Sequence, residues 1–178
     1  MKAIAVYCGA NPGGSPVYAE AARALGRALV AQNVALVYGG GHVGLMGIIA
    51  DEVLRMGGKV SGVIPQQLVD RELAHPGLTQ LFVVKNMHER KAMMAELSDG
   101  FIAMPGGMGT LEELFEMLTW SQLGIHAKPI GVLNVGGYYD QLVGFLDHAL
   151  KEAFIRPEHG GLMMVDADPE ALVRRLMA

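Results

Sequence analysis

The sequence predicts a three-layer α/β fold, with a mainly parallel central sheet flanked by helices. Three observations predict it. Short apolar, β-rich runs alternate with helical patterns from one end of the 178 residues to the other, the signature of strands joined by helical crossovers. Glycine-rich turns fall directly between strand and helix patterns. Apolar residues make up 51% of the chain and charged residues 18%, enough for a sizeable core, since a domain of this length buries roughly 70% of its unfolded surface.

The first strand is expected near 2–8, where Lys2 leads into Ala3-Ile4-Ala5-Val6-Tyr7-Cys8. A small-residue turn, Gly9 to Ser15, then opens a helix over 16–31. A second strand near 34–38 ends in Tyr38-Gly39-Gly40-Gly41-His42-Val43-Gly44, followed by a helix over 43–56. Strands near 59–64 and 79–84 enclose one generous loop at about 65–78. Asn86, with Glu89 three residues later, has the form of a capping box and starts a helix over 87–97;. A buried strand near 100–104 runs into Pro105-Gly106-Gly107-Met108-Gly109. A helix over 110–123 follows, with Leu111, Leu114, Phe115 and Leu118 as its apolar stripe;. The pattern closes with a strand near 129–134, a helix over 138–152, a strand near 162–165 and a helix over 168–177. No linker, repeat or low-complexity tract interrupts it, so residues 1–178 are expected to form a single domain;.

Composition narrows the partners. A net charge of −4 with no basic stripe argues against nucleic acid;. No run approaches the ~20 apolar residues of a membrane span. The N-terminus shows no signal-peptide pattern and the one cysteine forms no disulfide framework, so a reducing, cytoplasmic setting is expected;. Twelve methionines and a mean hydropathy of +0.30 point to apolar surface buried between subunits, and hence to a homodimer;.

The chemistry concentrates at Met104 to Glu113. Three glycines at a strand-to-helix junction let backbone approach a ligand, and the free N–H groups and positive dipole end of the helix favour an anion. In open α/β sheets, ligands sit beyond the carboxyl ends of the strands, so the loops after Tyr7, Tyr38, Ile64, Val84 and Met104 are expected to converge. Gly39, Gly41 and Gly44 fit a dinucleotide glycine spacing, but they follow the second strand and no acid ends the third, which disfavours NAD. A Walker A lysine is missing, the six histidines form no H-E-x-x-H or i, i+4 pair, and no nucleophile elbow occurs;. No metal and no cofactor is therefore expected. Cys8 reads as a packing residue. Arg90 and Lys91 lie near a helix N-terminus, against the macrodipole, which a nearby anion would explain. Thr110 and Glu113 admit two readings. Thr-x-x-Glu is itself a capping box, while Glu113 and Glu116, ~60° apart on the helix, could share a site and carry raised pKa values.

Together these residues resemble a known family. The Gly39 to Gly47 turn, Met87-His88-Glu89-Arg90-Lys91 and Pro105-Gly106-Gly107-x-Gly109-Thr110-x-x-Glu113 are similar to the motifs of Lonely Guy (LOG) proteins. The likeness extends through Thr119 to Pro129 and Asn134 to Tyr139. The resemblance implies a Rossmann-like, dimeric phosphoribohydrolase that cleaves the N-glycosidic bond of cytokinin riboside 5'-monophosphates or AMP. It makes Arg90 and Glu113 the catalytic pair. It also implies nucleotide contacts from Glu72, Lys91, Gly106, Gly107, Met108, Gly109, Thr110, Leu111, Glu112 and Glu116, with Gly40 and Gly41 beside them. Many such proteins were once labelled lysine decarboxylases, yet no dedicated pyridoxal phosphate lysine motif is present. Ala10, Asn11, Asn86 and Met108 depart from the usual pattern and bear on substrate preference. A nucleotide carrier or sensor without turnover is the alternative reading.

Overall fold

A computed structural model describes residues 1–71 and 73–178. Seven strands form one parallel sheet in the order β4-β3-β2-β1-β5-β6-β7. They are β1 (Ala3–Tyr7), β2 (Ala35–Tyr38), β3 (Val60–Pro65), β4 (Gln80–Val84), β5 (Gly100–Ala103), β6 (Ile130–Leu133) and β7 (Met163–Asp166). The helices are α1 (Pro16–Ala31), α2 (Gly44–Arg55), α3 (Gln66–Val69), α4 (Met87–Glu96), α5 (Met108–Gln122), α6 (Asp140–Lys151) and α7 (Pro169–Met177). The chain builds outward from β1 to β4, returns to β5 on the other side of β1, and then builds outward to β7. The strand order therefore reverses between β1 and β5, where such sheets place their ligand crevice.

Alternation along the strands divides the core in two. Ile4, Val6, Leu36 and Ile102 face Leu25, Leu29, Ile49, Val53 and Leu172 of α1, α2 and α7. Ala5, Tyr7, Val37 and Phe101 face Met94 of α4 and Leu114 and Met117 of α5. No described helix is long and apolar enough to cross a membrane.

Side-chain capping separates the helix starts into two kinds. Ser15, Asn86 and Asp168 accept hydrogen bonds from first-turn amides of α1, α4 and α7. Val43 and Gly107 leave α2 and α5 without a side-chain cap.

The structure corrects three expectations. α5 begins at Met108, with Gly107 at its N-cap, so Thr110 lies inside the first turn and Thr110–Glu113 is not a capping box. Thr110, Leu114 and Met117 form its buried face, while Leu111, Phe115 and Leu118 are half-buried. α5 is apolar over more of its circumference than the sheet covers, and the remainder turns toward α6. The long loop after β3 contains the one-turn α3, and an isolated bridge pairs Gly41 with Ala74.

Candidate active site

The turns after β1 and β5 are joined at the switch point. Met104 N–H donates to the Tyr7 carbonyl at 2.8 Å, and Gly9 N–H donates to the Pro105 carbonyl at 3.1 Å. Close approach makes glycine necessary here. A Cβ on Gly106 would stand 2.1 Å from Thr110 Oγ1, and one on Gly44, where φ is +57°, would stand 2.2 Å from the Ala10 backbone;. Tyr138, from the loop after β6, donates to the Gly106 carbonyl at 2.5 Å, and Tyr139 donates to the Met104 carbonyl at 2.6 Å. A cavity of about 380 Å³ opens between these turns, floored by β1 and walled by α4 and the start of α5. Gly106, Gly107 and Gly109 line it, so the uncapped first turn of α5 presents its amides to that space;.

Arg90 enters from α4. It is buried, with Nε donating to the Val63 carbonyl at 3.0 Å and Nη2 donating to the Gly39 carbonyl. A Cβ at Gly39 would fall 2.0 Å from Nη2, so glycine there is what admits the guanidinium. Burial lowers the Arg90 pKa from its usual value, and Glu113 opposes that;. Arg90 remains a cation at any physiological pH.

Glu113 reaches the same cavity from α5. Burial raises its pKa to about 7; Arg90 pulls it down, and Glu112 adds to the rise. An acid that titrates near neutrality inside a cleft is suited to proton transfer or to stabilising developing positive charge.

Lys91 is turned away from this space. Its Nζ lies 2.6 Å from Glu112 Oε1 and 2.5 Å from Glu116 Oε2, with the lysine side chain only 4% exposed. Burial opposes its charge, yet the two carboxylates prevail and hold its pKa above the ordinary value. Glu113 and Glu116 thus occupy separate places, one on the cavity and one in an ion-pair cluster around the buried Lys91.

Of the residues singled out in the sequence, Arg90, Gly106, Gly107, Gly109, Thr110 and Glu113 line the cavity together. Lys91, Glu112 and Glu116 form the cluster behind it. Met108 is 86% exposed, Leu111 packs on the α5 core, and Gly40 and Gly41 are off the wall. Glu72 lies outside the described residues. Among the described residues, the loop after β3 supplies no wall residue, whereas the loop after β6 supplies Tyr138. Sequence reasoning did not find Tyr138, which no local pattern marks and only the strand order brings beside β5. It also missed Met87 and Met94, although their i, i+3, i+7 spacing with Arg90 puts all three on one helix face. Cys8 is buried in the wall, and among the described residues no three His, Cys, Asp or Glu side chains gather as a metal site would require.

The architecture is that of doubly wound α/β proteins whose crevice opens at the switch point of a parallel sheet. The family model described as "Possible lysine decarboxylase" matches residues 46–176. Among curated proteins, the chain is 49% identical over 176 residues to cytokinin riboside 5'-monophosphate phosphoribohydrolase LOG1 of Arabidopsis thaliana, covering 99% of this chain and 83% of that one. It is 48% identical to the probable cytokinin riboside 5'-monophosphate phosphoribohydrolase LOGL2 of Oryza sativa, covering 99% and 72%. The chain belongs to this LOG family of phosphoribohydrolases. Solved structures with the same fold include a molybdenum cofactor binding protein from Rippkaea orientalis, at TM-score 0.76 and 21% identity, with 100% of this chain and 98% of that one covered. The Moco carrier protein of Chlamydomonas reinhardtii matches at TM-score 0.74 and 21% identity over 99% and 98%. Identity at that level speaks to fold alone.

Proposed function

We propose that this protein hydrolyses the N-glycosidic bond of a purine ribonucleoside 5'-monophosphate, a cytokinin riboside 5'-monophosphate or AMP, releasing the base and ribose 5-phosphate. The observation that carries this reading is Glu113 itself, an acid raised to about 7 on a cavity that also holds the uncapped amides of α5 and the buried Arg90. The names of the curated relatives support the same reaction.

The dimensions suit it. Glu113 lies six residues beyond Gly107, about 9 Å along the helix;. With the 5'-phosphate against the Gly106 to Thr110 turn, the ribose extends along α5 and its C1' comes beside Glu113. As the bond from C1' to the base nitrogen lengthens, positive charge develops on the sugar, and an ionised carboxylate stabilises it and orients the attacking water. Water adds its oxygen to C1'; the departing nitrogen takes a proton. Arg90 contributes a fixed positive charge for the phosphate or for the electrons gathering on the leaving base. Lys91, Glu112 and Glu116 hold α4 against α5 and so set the spacing between Arg90 and Glu113.

Chromatography of incubations with AMP and with isopentenyladenosine monophosphate tests the reaction. Free base and ribose 5-phosphate are expected from at least one substrate. Calorimetric AMP binding with no base released over hours would instead establish a carrier.

In this reading the protein works in the cytoplasm, and residues 1–178 act as one domain, which the unbroken sheet from β4 to β7 supports. A homodimer completes it. α6 buries none of its residues, and an apolar groove of about 550 Å³ separates it from α5. Phe145 and Phe154 stand 61% and 89% exposed nearby, more apolar surface than an isolated subunit ordinarily shows to water;. A dimer mass in light scattering is the expected result.

A further inference from the structure

The cavity floor contains a polar group that the reaction as derived leaves unused. Tyr7 ends β1 and is 2% exposed, and its hydroxyl is, among the described residues, the buried side-chain polar atom without a hydrogen-bond partner. The other two fully buried tyrosines are satisfied. Tyr38 donates to the Gly41 carbonyl at 2.9 Å, and Tyr139 donates to the Met104 carbonyl at 2.6 Å. Buried hydroxyls are nearly always paired, so an orphan on the wall of a ligand cavity points to a partner that arrives with the ligand.

The surroundings identify that partner. Tyr7 points to the face of the sheet covered by α4 and α5, where its ring stacks on Phe101 with centroids 6.2 Å apart and planes 8° from parallel. The ring is therefore held in place, and the hydroxyl has one direction. Two carboxylates of α5, Glu113 first and Glu116 second, act on it electrostatically and add to the burial that raises its pKa. Glu116 is already held by Lys91, whereas Glu113 has no hydrogen-bond partner among the described residues. From α4, Arg90 and Lys91 also act on Glu113, but Arg90 Nε and Nη2 are committed to backbone carbonyls and Lys91 to Glu112 and Glu116. His126 packs on the far partner of the stack, Phe101. Arg90 Nη1, 3.6 Å from Met87 Sδ, keeps N–H groups for an incoming ligand;, while Tyr7 carries the buried hydroxyl and Glu113 is the acid left without a hydrogen-bond partner among the described residues of this floor. A glutamate with three side-chain torsions can swing to a fixed hydroxyl.

We propose that Tyr7 is a further positioning residue of this site: with substrate in the cavity, its hydroxyl donates a hydrogen bond to the Glu113 carboxylate, holding it ionised and aimed at C1'. This rests on the hydrolase reading above. The bond forms in the complex because the ribose and phosphate displace solvent from Glu113 and take up the remaining N–H groups of Arg90, leaving the tyrosine hydroxyl to the acid. A hydroxyl bonded to the charged form of an acid lowers that acid's pKa. Glu113 is then more fully ionised in the complex than it would be there without the tyrosine hydroxyl.

Tyr7→Phe tests this, because it keeps the ring and removes an atom that bonds nothing in the unliganded fold. Turnover of AMP should fall by about tenfold with KM within about twofold, the pattern of an interaction made beyond ground-state binding. The acidic limb of kcat, which reports the complex, should move to higher pH, while that of kcat/KM, which reports the free enzyme, should stay in place. The melting temperature should be unchanged. An unaltered kcat profile, or a lowered melting temperature with normal turnover, would overturn the proposal in favour of a packing role. Carbon-13 titration of Glu113 with and without ribose 5-phosphate gives a second readout that needs no turnover. With ribose 5-phosphate bound, the pKa should lie lower in the wild type than in Tyr7→Phe, and without it the two should agree; equal values in the bound proteins would overturn the proposal. Absence of base release by the wild type would sink the hydrolase reading, and the same titration would still decide whether Tyr7 bonds Glu113.

Discussion

Glu52 of α2 and Glu113 of α5 are both drawn out of water, yet the chain handles them in opposite ways. Glu52 is 6% exposed and held by Arg55 at 2.8 Å and Arg27 at 3.2 Å. Its hydrogen bonds from Arg55, followed by those from Arg27, outweigh burial and depress its pKa to about 2. Glu113 has a cation nearby but, among the described residues, no hydrogen-bond partner, and burial raises it to about 7. The first acid joins α1 to α2, where a Cβ on Gly26 would stand 3.3 Å from the Glu52 side chain. The second faces a cavity. A structural carboxylate is satisfied by the fold that contains it, whereas a functional one is left for something the fold does not contain.

Replacing each acid by its amide should separate the two roles. Glu113→Gln is expected to lower base release from AMP by about 100-fold or more, the usual cost of losing a charge that stabilises a transition state. Folding should survive, since the amide removes a poorly compensated charge. Near-normal turnover, measured by chromatography of the released base, would break the contrast.

The stability of the two variants should then diverge with pH. Glu113 has a folded pKa raised above its unfolded value of ~4.3, so its favourable contribution is complete below that value and lost as pH rises through about 7;. Glu113→Gln should be the more stable protein at pH 8, by about 1 kcal/mol after solvent screening, with the gap gone at pH 4. Glu52 is the reverse case. Its folded pKa is depressed, so its contribution is present above ~4.3 and lost as pH falls through about 2;. Glu52→Gln should cost about 1 kcal/mol at pH 7, leave base release unchanged, and converge with the wild type in acid. Thermal melts from pH 3 to pH 8 check both slopes.

The same contrast explains what could be read from the chain before its structure. Strand and helix signals are local, and residues such as Ser15, Pro16, Asn86 and Asp168 mark helix starts directly. The predicted strand at 34–38 and helix at 16–31 match Ala35–Tyr38 and Pro16–Ala31 within a residue. The start of α5 was misplaced by two residues because Thr110 imitates a cap while Gly107 carries no side chain to announce one. The one-turn α3 has too few residues to show a period. At the site, Arg90, Glu113 and the Gly106 turn stood out through charge and glycine content. The separation of Glu116 from Glu113 did not, because helical phase places them ~60° apart and only the buried Lys91 divides them;. Tyr7 and Tyr138 were hidden for another reason. An aromatic residue in an apolar strand looks like core, and the loop after β6 meets the loop after β5 only through strand order.

The smallest effect belongs to the glycine turn, where two neighbours should behave differently. At Gly106 a Cβ would strike Thr110, but at Gly109, inside the first turn of α5, nothing lies within 4 Å of the position a Cβ would take. Gly109 also has no positive φ. Its lack of a side chain therefore serves neither helix geometry nor packing, and alanine should raise stability by about 0.5 kcal/mol through helix propensity. If the 5'-phosphate sits against this turn, the added methyl intrudes on the ligand, not on the fold. KM for AMP should rise a few-fold while the melting temperature holds or increases slightly. Unchanged KM in Gly109→Ala would place the phosphate elsewhere on the cavity wall and leave this glycine without a role in binding.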